Sequence, residues 1–382
     1  MCGFSFTVFV SAFQLFPTAP FHIRDLGGTT FSAGLFLGLL TYASAFSAPF
    51  TGGIADRIGH RRMLVICSTV IAGFSIAYAL APSPVVMLAL VVPHGIFWSG
   101  LMTASGAYVT ALVPETRRAE GIGYWGLSTV VAIAVAPNIG FAIYRHGWGL
   151  LCIVMLALNV VMAGIAWSLK EIQRPMEPRG QRFSLEWRVL IVSLSVFLYS
   201  FGYGGITSFS AMYADAAGIT PKAVYLTTVA IAILVSRPLA APLGDRWGYR
   251  RVFIPCTLLV TFALALLALL PPSRAGLIGS GLVFGAGFGT AWPVFLAYIL
   301  GRVDPWRRGA AYGAMIAAFD TGIGTGSTAL GWVIQHHGYP AAFGLAAVLS
   351  AFSVPYFLLT DHLQRRDSHT SFRADLADNR EA

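Results

Sequence analysis

The sequence predicts an all-α membrane protein, with twelve transmembrane helices in two six-helix pseudo-repeat bundles. Three observations carry that expectation. Of 382 residues, 56% are hydrophobic and only 11% are charged, and the mean hydropathy is +0.71. A soluble domain holds about a quarter charged residues, so a water-soluble fold of this size could not hide so much apolar surface. The chain then divides into twelve apolar runs near the length of about 20 residues that a bilayer demands. Finally, "GGIADRIGHRR" at 52–62 and "APLGDRWGYRR" at 241–251 both write Asp-Arg-x-Gly-x-Arg-Arg, 189 residues apart.

Span 1, at 3–22, opens with no positive residue ahead of it and no small-x-small cleavage site. It therefore reads as a membrane span and not as a signal peptide, and the missing lead leaves room for a longer natural N-terminus. Spans 2 and 3, at 31–51 and 63–82, flank the first motif copy. Span 4 at 85–111 and span 5 at 121–143 are parted by Arg117 and Arg118, and span 6 at 148–169 closes the first half. The polar stretch 170–188, "KEIQRPMEPRGQRFSLEWR", reads as a linker. Spans 7 and 8, at 189–212 and 222–242, lead into the second motif copy. Spans 9 to 12 follow at 252–270, 275–300, 309–333 and 340–360, and the charged tail 361–382 is expected to be loose. The predicted domains are thus an N-terminal bundle, 1–169, and a C-terminal bundle, 189–360, with a cytoplasmic linker and tail.

Charge fixes the expected orientation. With the N-terminus inside, 20 of the 25 Lys and Arg residues fall on inner loops and the tail, and four (Arg24, Arg145, Lys222, Arg274) fall outside. That bias predicts a multi-pass protein of the cell (plasma or inner) membrane with both termini cytoplasmic. It also explains the net charge of +9 without a nucleic-acid partner, because basic clusters interleaved with spans set topology. The bilayer is the expected macromolecular partner, and the chain is expected to act as a monomer.

Several chemistries are not supported. Cys2, Cys67, Cys152 and Cys256 sit in different apolar runs with no metal-ligand spacing, so neither a metal site nor a disulfide framework is expected. The runs "FGAGFG" at 284–289 and "TGIGTG" at 321–326 have no Lys-Ser/Thr after them, and neither Lys170 nor Lys222 follows a glycine. No nucleotide-binding phosphate loop is present, and no cofactor is expected. An intramembrane enzyme would want paired acids, a Ser/His dyad or a metal cluster in the spans; one aspartate with scattered histidines does not supply it. The pair His336-His337 reads as an outer loop.

With the halves aligned at an offset of 189, Pro49, Asp56, Arg57, Gly59, Arg61 and Arg62 fall on Pro238, Asp245, Arg246, Gly248, Arg250 and Arg251. This is a parallel internal repeat of the kind that lets two halves rock about a central site. The chain resembles the major facilitator superfamily over essentially its whole length. "GGIADRIGHRR" is similar to that superfamily's loop signature between helices 2 and 3, with His60 as the main departure. Gly52, Gly53 and Gly59 suit a tight turn and close helix approach. Asp56 suits the positive end of a neighbouring helix, and the resemblance implies that this neighbour is span 11, across the bundle interface. Arg57, Arg61 and Arg62 would hold it through charge-assisted hydrogen bonds. Gly53, Asp56, Arg57, Gly59, Arg61 and Arg62, with Asp245, Arg246, Gly248 and Arg250, are therefore latch candidates; the alternative is that the arginines only enforce topology.

In span 5, "AIAVAPNIGF" at 132–141 resembles the Gly-Pro-x-x-Gly-Gly pattern of drug/proton antiporters. Pro137 and Gly140 match, while Ala136 and Phe141 depart. Such antiporters carry an arginine early in span 4, where this chain has Val91, followed by His94. Efflux and uptake thus both stay open.

Two normally charged residues lie inside spans. Asp320 sits about 16 Å from the inner end of span 11. An intramembrane ionisable group is a functional candidate by default, and Asp320 is the proton-coupling candidate; the alternative is a fixed pair. Arg237, near the inner end of span 8, differs from it in depth by about 9 Å and is expected to cap that end. Gln14, His94, Tyr199 and Tyr203 lie on helices that, by the resemblance, line the cavity; the alternative is helix-packing hydrogen bonds. Asn138 and Asn159 carry weaker signals.

The expected function is secondary transport of a small organic solute by alternating access, with protons as coupling ion and efflux as direction. Uptake or facilitated diffusion, and a receptor that binds without moving solute, are the alternatives.

Overall fold

The computed structural model describes residues 1–113, 118–171, 187–303 and 308–381. Most of the expected linker therefore lies outside the described residues. Among those described, every regular element is helical. Six helices form the first half: α1 (Cys2–Asp25), α2 (Thr30–Ile58), α3 (His60–Ala79), α4 (Pro84–Leu112), α5 (Arg118–Tyr144) and α6 (Trp148–Ser168). The second half holds α7 (Trp187–Ala216), α8 (Val224–Ser236), α9 (Ala240–Trp247), α10 (Tyr249–Leu269), α11 (Arg274–Leu300) and α12 (Arg308–Glu381).

Among the described residues, ten segments are long and apolar enough to cross a membrane. One of them, Ala311–Leu363, holds two crossings. Its first arm runs parallel to α7, since Gly322 abuts Phe197 and Gly326 abuts Phe201. Its second runs antiparallel, since Tyr339 meets Tyr213 while Ser353 bonds to the Ser195 carbonyl. The reversal falls at Gly338, whose φ of 80° and ψ of 175° interrupt the helix, a conformation that costs glycine alone little. The helix therefore runs through His336-His337, where a loop was expected, and continues to Glu381, where a loose tail was expected. Val224–Leu239 is shorter, and α9 completes it as span 8. A 3-10 turn, Arg237–Leu239, interrupts that span, because Pro238 lacks the amide an α-helix needs.

Each half packs as a bundle. In the first, α1 lies on α5, α2 on α4, and α3 between α4 and α6; in the second, α7 lies against both arms of α12, and α11 lies between α8 and α10. Apolar side chains such as Leu80, Ile153, Val160, Phe262 and Leu269 remain exposed on the outside, as lipid contact requires.

The repeat is legible residue by residue at the end that carries the motifs. Gly59 and Gly248 both terminate a helix at positive φ, 94° and 85°. Asp56 lies 3.7 Å from His60, and Asp245 accepts from the Tyr249 hydroxyl at 2.6 Å, each four residues on. Arg61 reaches Glu171 at 3.9 Å, just beyond span 6. Arg250 reaches Asp361 at 2.9 Å, at the end of span 12. The second pair is far more enclosed. Asp361 is fully buried, and also takes Arg302 at 2.8 Å and the Tyr298 hydroxyl.

Candidate functional site

Two seams join the bundles. Along the first, α2 packs on the first arm of α12. From the end opposite the motifs inward, the Phe31 amide donates to Gln335 at 3.1 Å. Ser327 donates to the Gly34 carbonyl at 2.8 Å. Gly38 sits against Gly324 and Thr328, and the Tyr42 and Thr325 hydroxyls meet at 2.6 Å. Small residues permit this approach: a Cβ on Gly34 would stand 2.3 Å from the Ser327 carbonyl oxygen. At mid-span, Asp320 faces the Ser44 hydroxyl across the interface. Toward the motif end the same helices present exposed Phe46, Phe50 and Tyr312. Along the second seam α5 meets α8, where Asn138 donates to Thr227 at 2.5 Å. Near the end opposite the motifs, Lys222 lies over the Phe21 ring at 5.0 Å and pairs with Asp215 at 2.7 Å.

Asp320 is therefore a carboxylate on one bundle whose polar neighbour is on the other. Arg237 opens the 3-10 turn of span 8, with the phenols of Tyr312 and Tyr203 as its electrostatic neighbours. It does not pair with Asp320, and among the described residues no carboxylate pairs with it. From Tyr203, one of those phenols, an aromatic row leads through Phe288 at 4.3 Å to Phe319 at 6.0 Å, and Phe319 meets Trp292 with ring centroids 4.6 Å apart. The first bundle presents Trp98, braced by Phe9 and Phe16.

The four residues expected to line the cavity sit deeper. Gln14, His94, Tyr199 and Tyr203 are 1%, 5%, 0% and 9% exposed. Gln14 packs backbone-close against Gly140, so the span 5 motif residue serves the α1–α5 contact; α5 runs on as a helix through Pro137. His94 meets the Tyr78 hydroxyl at 2.9 Å and stacks on Phe74. With Ser75 and Asn159, bonded at 3.0 Å, these groups line a void of about 10 Å³ inside the first bundle, room for about one water. Tyr199 and Tyr203 share a face, as four-residue spacing dictates, and that face looks onto Phe253 and Phe288.

The motif glycines divide. Gly59 is a turn residue, and a Cβ there would also strike the Glu171 carboxylate. Gly52 and Gly53 have open space around them, so close helix approach is not their use. Asp56 pairs with His60, and Arg61 donates to the Trp167 carbonyl at 2.6 Å; these partners lie in their own bundle. Arg57, Arg62, Asp245 and Arg246 are exposed, and Gly248 closes α9. Among the described residues no cluster of three His, Cys, Asp or Glu side chains could hold a metal.

Sequence reasoning missed Ser44, Tyr42 and Thr325, the Trp292–Phe319 wall, and the Asp361 cluster. Gly34 and Gly38, four apart in span 2, and Gly324 and Thr328, four apart in span 11, were the available signal for a tight seam.

A sequence model of the Major Facilitator Superfamily matches residues 1–225 and 192–377. Among curated relatives, an uncharacterized MFS-type transporter of Burkholderia mallei (strain SAVP1) is 28% identical over 365 residues, covering 92% of this chain and 89% of the relative. The MFS-type transporter YhhS of Escherichia coli (strain K12) is 26% identical over 377 residues, covering 95% and 91%. The crystal structure of the nucleoside transporter NupG superposes with a TM-score of 0.78 at 16% identity, covering 94% of this chain and 98% of that one. The human organic anion transporter MFSD10 gives 0.70 at 16% identity, covering 93% and 97%. At such identity these likenesses speak to the fold alone.

Proposed function

We propose that this chain, which belongs to the Major Facilitator Superfamily, exports a small organic solute across the cell's inner membrane in exchange for protons. That it is a multi-pass transporter and not an enzyme follows from the family. The rest is our reading. One observation carries it: Asp320, the mid-span carboxylate, belongs to one bundle and meets the other at Ser44, where the seam gives way to exposed side chains. A carboxylate at the boundary between the bundles changes its access to water when the bundles move. Rocking of the halves would thus load and unload a proton at a single atom group.

The loop charges support a cytoplasmic motif end, and on that reading the contacts gathered at the opposite end correspond to an inward-facing arrangement. The units that rock are taken as 1–169 and 189–360, and a monomer suffices, since the seam is complete within one chain. The motif loops would act as cytoplasmic latches in the opposite conformation, with Asp56 and Asp245 exchanging partners as the ends close. The efflux direction leans on Pro137 and Gly140. Uptake by symport is the second reading, favoured by Val91 standing where related antiporters carry arginine.

The test uses purified protein in liposomes and a solute that the wild-type chain moves under an imposed pH gradient. Asp320→Asn is expected to abolish pH-driven flux while leaving solute counterflow intact. Undiminished pH-driven flux in that variant would overturn the assignment.

A further inference from the structure

We propose that the face of the second bundle around Arg237 takes an organic monoanion, a single carboxylate on a planar apolar body, with Arg237 holding the carboxylate and the Phe288–Phe319–Trp292 row offering it an aromatic face. The inference rests on the transport reading for that face's role, but its chemistry stands on three separate observations.

The first is an arginine held within the hydrocarbon. α8 is 13 residues long, so Arg237 lies about 20 Å below its start, inside a core about 30 Å thick. A guanidinium at that depth pairs with a carboxylate or lines a water-filled path. Among the described residues no carboxylate pairs with it, and its electrostatic neighbours are two phenols, Tyr312 and Tyr203. The sequence reading made Arg237 a cap for the inner end of span 8. The structure puts it at the C-terminal end of α8, where the helix tightens into a 3-10 turn, with Tyr203 of span 7 and Tyr312 of span 11 as its electrostatic neighbours.

The second is the surface beside it. Trp292 and Phe319 are half-buried neighbours, and Phe288 and Tyr203 stack behind them with centroids 4.3 Å apart. Aromatic faces beside a cation receive a flat apolar body. A planar guanidinium matches a carboxylate through two parallel hydrogen bonds.

The third is the charge count. Among the described residues, the intramembrane arginine and aspartate, Arg237 and Asp320, are not paired with each other. A phosphate monoester brings nearly two negative charges, which one arginine beside an aspartate would leave half-neutralised. A single carboxylate balances Arg237 and leaves Asp320 free for its own proton.

The experiment measures binding of labelled benzoate to the detergent-purified full chain, with benzamide and benzylamine as isosteric neutral and cationic competitors. Wild type is expected to bind benzoate saturably, with both competitors much weaker. R237Q should lose about tenfold or more in affinity, the usual worth of charged hydrogen bonds, and R237K should fall between. Asp320→Asn should bind benzoate at least as well as wild type, since it removes the one nearby negative charge. Monodisperse elution shows that each variant is folded, and R237K serves if R237Q is not. Absence of saturable benzoate binding by folded wild type overturns the proposal, as does equal binding by the arginine variants or displacement by benzamide as strong as by unlabelled benzoate. Binding needs no flux, so loss of pH-driven transport in Asp320→Asn with benzoate still bound concerns the coupling reading alone.

Discussion

Gly34→Ala separates the cost of a conformation from the cost of a fold. The added Cβ would stand 2.3 Å from the Ser327 carbonyl oxygen and 3.0 Å from the Phe209 ring. The first obstacle is backbone, so relief requires the bundles to part by about 1 Å, and overpacking of this kind costs about 1–3 kcal/mol. The cost applies only while the seam opposite the motif end is shut. In the other direction, alanine in a helix gains about 1 kcal/mol over glycine, and gains it equally whether the seam is open or shut. Fold stability is therefore expected to hold or rise, while the balance between closed and open seam shifts roughly 5- to 150-fold toward open. The assay is labelling of Asn138→Cys, at the second seam, by a membrane-impermeant maleimide in a Cys2→Ser background, since Cys67, Cys152 and Cys256 are buried. Gly73→Ala is the control, because nothing lies within 4 Å of its added Cβ. Labelling that rises with Gly34→Ala and not with Gly73→Ala is the expected result. Equal labelling in both folded variants would show that this seam does not gate access.

Asp361→Asn, which leaves Arg250 and Arg302 facing a buried neutral group, should destabilise the purified protein by about 3–5 kcal/mol, read from thermal unfolding. Glu171→Gln, at the matching but exposed pair, should cost less than about 1 kcal/mol; equal losses would refute the asymmetry between the repeats. Gly59→Ala, at φ 94° with Glu171 in the way, should lower the unfolding temperature more than Gly52→Ala, which meets open space. If a monoanion leaves as one proton enters, each cycle moves two charges, and a membrane potential of 100 mV drives it with about 4.6 kcal/mol. Currents in liposomes are then expected, and strictly voltage-independent flux would favour proton–anion symport.

Span number and order were legible because length and hydropathy alone decide whether a helix crosses a bilayer. The motif pair was legible because a charged, glycine-hinged turn is rare in so apolar a chain. Rotation of each helix about its axis was not legible. Span 7 spreads Ser193, Ser195, Ser200, Thr207, Ser208 and Ser210 over several faces, so its sequence does not say whether Tyr199 and Tyr203 face the centre or the Phe253–Phe288 core; tilt and rotation are set by neighbouring helices. His94 stayed open between cavity lining and helix packing for the same reason, since its partner Tyr78 lies on another helix. Arg237 was expected at the end of span 8 and stands as the C-cap of α8. The 3-10 turn that Pro238 sets just after it, and so its setting, could not be placed from hydropathy.

The two halves share a motif and a fold, yet, among the described residues, the aspartate and the arginine within the spans both belong to one of them. Asp320 and Arg237 both stand on the second bundle; the first offers Ser44, Tyr42 and the Trp98 face, neutral groups throughout. A rocking pair divided in this way keeps proton and solute sites fixed relative to each other, because both ride on the same bundle. What changes on rocking is the neutral wall opposite, and with it the water that reaches Asp320 and Arg237. Coupling then needs no wire between the sites. The seam of Gly34, Gly38, Tyr42 and Ser44 meets the second bundle at Asp320, and rocking moves the bundle that carries both sites as one body, so a substitution along that seam should move proton and solute access in step.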